Sequence, residues 1–328
     1  MFDEVSDLYD KYENDLLSLR WVEEYYIGVA SEPEKSWQIY ITCAKNKLPS
    51  MKDLKKLFGV NIASFVDFCQ EDVDRTPQFT RGPASGNEVF NPEYRVFNHG
   101  SIGVVFSGEK NHYATTSYHV CYNGRLPKDI SKAHQILKDD CENGSPRCQG
   151  VTCLYVNSGR SVDLGSFNCG LYDDNHDIAL LEMNEKLNCS DMVNFLKGLN
   201  LRPDLADIAE VKSMFYEGHL PVERVSPEPR RGVLFGIRAV TRCPRYKRCY
   251  KIKGTEQDSF ASQGDSGSLI YLIYERENIP FAYLSFALDN VFHARNLKES
   301  VKELVKHNGR GDFINVNACI TQHNNFQN

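Results

Sequence analysis

No apolar run in this 328-residue chain approaches the roughly 18–20 residues that a helical membrane span needs. Basic residues are not in excess either. The 38 Lys and Arg stand against 44 Asp and Glu, giving a net charge of −6 and an isoelectric point near 5.9. Neither nucleic acid nor a membrane is therefore expected as a partner. The opening "MFDEVSDLYDKYENDLL" lacks the basic start and apolar core of a secretory leader, so a cytoplasmic location is expected. Internal repeats and low-complexity stretches are missing. Among the eleven cysteines there is no Cys-x-x-Cys, and Cys141, Cys148 and Cys153 are too irregularly spaced to imply zinc. No metal or cofactor is expected. An odd number of cysteines cannot pair completely within one chain. Free buried thiols in a reducing compartment are the first reading, with a bridge such as Cys243 to Cys249 left open.

With 41% hydrophobic and 25% charged residues, the chain can bury one large or two modest cores. Val5, Leu8, Tyr9, Tyr12, Leu16 and Leu17 fall close to helical spacing over residues 3–20. "YYIGVA", "WQIYITCA" and "VNIASFVDF" read as strands, with a short helix in "PSMKDLKKLFG". Residues 1–69 are thus expected to form a small α+β module. Residues 70–93 are polar and rich in Pro and Gly, as a linker or surface-draped segment would be. From 94 to 328, short β-like runs such as "SIGVVFS", "VTCLYV", "DIALLEM" and "FAYLSFAL" are punctuated by turn residues, and "NLKESVKELVKH" reads as a helix. The basic run "RCPRYKRCYKIK" reads as a solvated hairpin, onto which the acidic N-terminal helix could dock.

The turn "SQGDSGSL" raises a sharper question, because it holds Ser266 between Asp265 and Gly267 just before a strand. A serine hydroxyl becomes a nucleophile only with a base and an oxyanion site. "TTSYH" ends a strand-like run at His119, and "DIALL" opens an apolar strand at Asp177. Either residue alone would usually be structural; the conjunction is what carries weight.

The order His119, Asp177, Ser266, with "TSYH", "DIALL" and "GDSGS", resembles the chymotrypsin-like or trypsin-like serine peptidases over roughly residues 94–323. The resemblance implies a mainly β chain with two six-stranded antiparallel barrels, and a Ser-His-Asp triad in which Ser266 attacks, His119 moves the proton and Asp177 fixes the imidazole. It implies an oxyanion hole from the main-chain N–H groups of Gly264 and Ser266. Ser285, Phe286 and Ala287 match the segment that pairs with substrate backbone and walls the specificity pocket. Counting from Ser266 puts Phe260 at the pocket floor, while a two-residue shift puts Asp258 there; the choice stays open. The small N-terminal module faintly resembles one found ahead of some intracellular trypsin-like peptidases.

The chain departs from the secreted members of that family. Arg81 is followed by "GPAS", which cannot imitate the apolar amino terminus released on activation, so the partner of Asp265 is not evident. The expected activity is a regulated intracellular serine endopeptidase acting on protein or peptide substrates, with a regulatory partner bound through the N-terminal module. The alternatives are a catalytically silent peptidase fold that binds proteins and an esterase using the same triad.

Overall fold

The computed structural model describes residues 2–29, 37–44, 49–50, 52, 56, 66–71, 78–79, 88–90, 99–107, 111–127, 129–157, 160–184, 201–202, 204–215, 218–225, 229–242, 245–255, 259–262, 264–288 and 290–307. The chain begins with helix α1 (Phe2–Ser18), whose Phe2, Val5, Tyr9, Tyr12 and Leu16 form one buried stripe. Strands β1 (Val22–Val29), β2 (Trp37–Ala44) and β3 (Val66–Glu71) follow, with β1–β2 antiparallel and β2–β3 parallel. The helix expected in "PSMKDLKKLFG" lies largely outside the described residues.

Two short strands come from the segment expected to be a linker. They are β4 (Gln78–Phe79) and β5 (Glu88–Phe90), and they join different sheets. Next are β6 (His99–Ser101), β7 (Val105–Ser107), β8 (His112–Thr116), the one-turn helix α2 (Tyr118–Cys121), helix α3 (Ile130–Glu142), β9 (Thr152–Asn157), β10 (Arg160–Tyr172) and β11 (Asp177–Met183). With β5 they make a seven-stranded antiparallel sheet in the order β6-β5-β9-β10-β11-β8-β7. The run "HGSIGVVFS" counts as two of these strands, because its first part pairs with β5 and its last with β8, while Gly103 and Val104 both bond Thr115.

Helix α4 (Ile208–Phe215) leads to β12 (Leu220–Arg224), β13 (Arg230–Thr241), β14 (Tyr246–Gly254), β15 (Leu269–Tyr274), β16 (Glu277–Leu288) and β17 (Val291–Asn296). Their pairings run β12-β15-β16-β17-β14-β13 and return to β12 through the β12–β13 ladder, an antiparallel ring of six. β12 covers only Arg230–Leu234 of the twelve-residue β13, and β1 pairs with the rest of that edge from Gly236 to Thr241. An uncovered strand edge is a liability. The N-terminal strands thus continue the larger sheet by main-chain hydrogen bonds.

Helix α1 is held by cations from the "RCPRYKRCYKIK" region and its approach. Arg238, in a bulge of β13 at φ 56, reaches Asp10, while Arg242 donates to Leu17 O at 3.0 Å. Lys251 is not on a solvated face: it is buried against Glu24 at 2.6 Å. The last described helix, α5 (Leu297–His307), is capped by Asn296, whose Oδ1 accepts from Glu299 N at 2.9 Å. Leu297, Val301 and Leu304 pack one face of α5 into an apolar cluster with Ile178, Leu269 and Tyr283. That cluster ties together the strands that carry the candidate site. Among the described helices, none is long and apolar enough to cross a membrane.

Candidate active site

β8 and β11 pair antiparallel with Thr116 opposite Ala179, so the end of β8 meets the start of β11. His119, three residues past Thr116 on α2, and Asp177, two before Ala179, therefore fall at the same end of the ladder. The preceding turn is fixed by Asp173, whose Oδ1 accepts from Asn175 N at 2.6 Å and His176 N at 2.8 Å. His119 Nδ1 lies 2.8 Å from Asp177 Oδ2, and His119 N donates to Asp177 Oδ1 at 3.2 Å.

Ser266 arrives from the larger sheet on a turn locked by three hydrogen bonds. Ser101 N donates to Ser266 O at 2.7 Å, and Ser101 Oγ donates to Gly264 O at 3.1 Å. Gly267 N donates to Leu284 O at 2.8 Å. Gly264 and Gly267 hold φ of 95° and 91°, where L side chains are strained. A Cβ on Gly267 would also meet Ser101 O at 2.5 Å and Ser117 N at 2.9 Å, so this glycine lets the Ser266 turn approach the chain leading to His119.

Ser285 bridges the two halves. It sits at a register shift between Leu284 and Phe286, where a bulge re-aims a side chain. Its Oγ donates to Asp177 Oδ2 at 3.1 Å, and its carbonyl accepts Ser266 Oγ at 3.4 Å. Arg295 Nε donates to Ser285 Oγ at 3.2 Å, which turns the hydroxyl proton toward Asp177. Burial alone would push the Asp177 carboxyl up, but His119 and Arg295 outweigh it and hold it below the ordinary value. His119, Asp177, Ser266 and Ser285 are all 0% exposed.

Asp265 faces away into the larger sheet and meets a cation. Arg224 Nη1 is 3.2 Å from Asp265 Oδ1, and Arg224 Nε donates to Phe260 O at 2.9 Å. Asp265 Oδ2 accepts from Ser262 N at 2.6 Å and Ser262 Oγ at 3.1 Å. Burial pushes Asp265 up and Arg224 down, each against the pull of the other. Among the described residues, neither Arg224 Nη1 nor Asp265 Oδ1 makes a hydrogen bond, so this contact is Coulombic. A guanidinium from β12 thus supplies the counter-charge whose source the sequence left unknown. Arg224→Leu is expected to cost about 3–5 kcal/mol by stranding a buried carboxylate. Urea unfolding of Arg224→Leu beside the Arg224→Leu/Asp265→Leu double variant checks this: the double variant should recover part of the loss.

Beneath Phe286, in the segment expected to pair with substrate, lies a second buried charge cluster. Glu24 of β1 contacts Lys251 Nζ at 2.6 Å and His293 Nε2 at 2.9 Å. His293 stacks on Phe286 with centroids 4.4 Å apart. Burial alone would raise the Glu24 carboxyl, yet Lys251 and His293 bring it down to about 2 from 4.5. A depressed carboxyl stabilises the fold above its unfolded value and loses that contribution as pH falls through the folded one. Denaturant melts at stepped pH should show wild type losing stability between about pH 4.5 and 2, and Glu24→Gln, less stable at neutral pH, losing less over that window.

Of the expected pocket residues, Phe260 is fully buried, packed on Phe292 with centroids 5.6 Å apart. Asp258 lies outside the described residues. Phe286 is buried and Ala287 half-buried on β16. Sequence reasoning missed Arg224, Arg295 and Glu24. Arg224 had a readable signal, since Leu220, Val222 and Arg224 alternate on the inward face of "LPVER" and a cation there requires a partner. Cys249 is an unbridged thiol, which removes the Cys243–Cys249 pairing. Among the described residues, no cluster of three or more His, Cys, Asp or Glu could hold a metal ion.

No protein-family model matches this sequence, and no curated protein does. Solved structures do. A glutamic-acid-specific serine protease described as using a histidine triad in substrate binding is 10% identical, over 69% of this chain and 97% of its own, with a TM-score of 0.38. Thermobifida fusca protease A is 12% identical over 69% and 95%, with a TM-score of 0.37. An alpha-lytic protease homolog is 10% identical over 69% and 96%, at 0.38. At these TM-scores only the local geometry of this chain, and not the superposition, bears on chemistry.

Proposed function

We propose that this protein is a serine endopeptidase working through an acyl-enzyme. The observation that carries the reading is the 2.8 Å contact of His119 Nδ1 with an Asp177 carboxylate that also receives Ser285 Oγ. A proton held on Nδ1 leaves Nε2 as the basic nitrogen. Ser266 Oγ attacks the peptide carbonyl carbon while Nε2 takes its proton; the C–N bond then breaks and the leaving amine receives that proton. Water repeats the sequence on the acyl ester and frees Ser266. The proposed oxyanion donors are the main-chain N–H groups of Gly264 and Ser266. Ser285–Ala287 would pair with substrate backbone, and Phe260 would close the specificity pocket against all but small or apolar side chains.

Arg224 beside Asp265 supports competence without a newly cut amino terminus. Seven described cysteines, all buried and unbridged, support a reducing, cytoplasmic setting. The silent-fold reading draws support from the complete burial of Ser266 and His119. A fluorophosphonate serine-hydrolase probe, applied to the purified uncleaved protein with Ser266→Ala and His119→Ala alongside, separates the two. Labelling of wild type alone supports the enzyme. No labelling, either of a well-folded wild type or of a chain whose residues 76–81 are replaced by Gly and Ser, supports the binding module.

A further inference from the structure

β15 accompanies β16 only as far as Leu269 opposite Tyr283, after which Leu284 bonds Gly267 and Ser268 of the nucleophile turn. From Ser285 onward that edge of β16 is no longer covered by β15, while β17 holds the other edge at Phe286 and Ala287. A bare strand edge beside a nucleophile is where an extended peptide adds as a further strand. Here it is taken. β4 pairs antiparallel with this edge, Gln78 opposite Ala287 and Phe79 opposite Phe286. As β4 runs forward its partners run back toward Ser285, whose carbonyl holds Ser266 Oγ. The chain's own backbone therefore runs along this edge toward Ser266, in the direction of a substrate's acyl side.

We propose that β4 is an intramolecular occupant of the substrate strand's place, so that the described form is the closed state of the cleft. The proposal rests on the peptidase reading for the use of that edge. Two observations meet in it: the main-chain ladder, and the 0% exposure of both Ser266 and His119. β4 is tethered to β3, which ends seven residues earlier at Glu71, and to β5, which begins nine residues later at Glu88. A short tether gives an effective concentration on the order of millimolar. Free peptide substrates, with KM values typically about 1 μM–1 mM, would compete against it poorly. Opening needs only displacement or cutting of the segment, with no refolding of either sheet.

The test uses the full chain carrying Ser266→Ala, so that binding is read without turnover. Residues 76–81 (TPQFTR) are replaced by Gly-Ser-Gly-Ser-Gly-Ser in one version, and Phe79→Pro, which removes a main-chain N–H, is made in another. A fluorescein-labelled TPQFTR peptide is titrated by anisotropy against both versions and the unreplaced chain. At least tenfold tighter binding to the altered chains is expected. Equal binding to all three, or none to any, overturns the proposal. Fluorophosphonate labelling of the replaced chain with Ser266 intact reports on catalysis separately, so loss of the peptidase reading is distinguishable from loss of this one.

Discussion

Ser266→Ala is expected to lower kcat for peptide hydrolysis by roughly a million-fold. Without Oγ no acyl ester can form, and neither His119 nor the turn at Gly264 can supply a substitute nucleophile. Stability should hardly move, because the hydroxyl's contact with Ser285 O is a long one of 3.4 Å. The change in unfolding free energy is expected to stay within about 1 kcal/mol. Turnover of a fluorogenic peptide library and a urea melt, made on the same preparation, check both halves. Residual hydrolysis equal to wild type would assign the activity to another protein or another residue. His119→Ala should lose nearly as much, and combining the two should add little, because residues that act as one unit are not additive.

Asp177→Asn is expected to reduce kcat about 10⁴-fold. The carboxylate accepts on every side: from His119 Nδ1, from His119 N and from Ser285 Oγ. An amide at this position presents two N–H donors where only acceptors fit. If its nitrogen faces Nδ1, the imidazole must carry its proton on Nε2, and the base that Ser266 needs is gone. A charge is lost as well. Arg295 is 1% exposed and its guanidinium is held in the charged form partly by Asp177, so Asp177→Asn should also lower stability. The two effects separate by temperature. Activity measured far below the unfolding midpoint should remain low, with KM close to wild type, whereas a loss due only to unfolding would recover on cooling.

Several elements were legible because local pattern and tertiary role agree. The helical stripe of residues 3–20 appears as α1, "DIALLEM" is β11, and "NLKESVKELVKH" is α5 from Leu297. Helix α3 was missed although Asp129 caps it, its Oδ1 accepting from Ser131 N at 3.0 Å. Its sequence, "ISKAHQILKDDCE", lies between the histidine and aspartate motifs and is mostly charged and polar on its outer face. The stretch from 70 to 93 reads as polar linker by composition, yet it begins with the end of β3 and holds β4 and β5, strands in different sheets. A strand of two or three residues has no period to read. Its pairing is decided by which edge stands open.

The sequence by itself determined the chemistry on offer: His119, Asp177 and Ser266 in that order, two glycines around the serine, and a chain of short alternating strands. Each of those signals is local, written within a few residues of its own motif, although the motifs stand 58 and 89 residues apart. Which groups meet was decided only by the tertiary structure. The ring β12-β15-β16-β17-β14-β13 brings Arg224 to Asp265 and Arg295 to Ser285, while the pairing of β1 with β13 delivers Glu24 to Lys251 and His293. Buried charges select their partners by position in three dimensions, because leaving one unpaired costs more than the turn or strand around it can supply. No spacing along the chain encodes that choice.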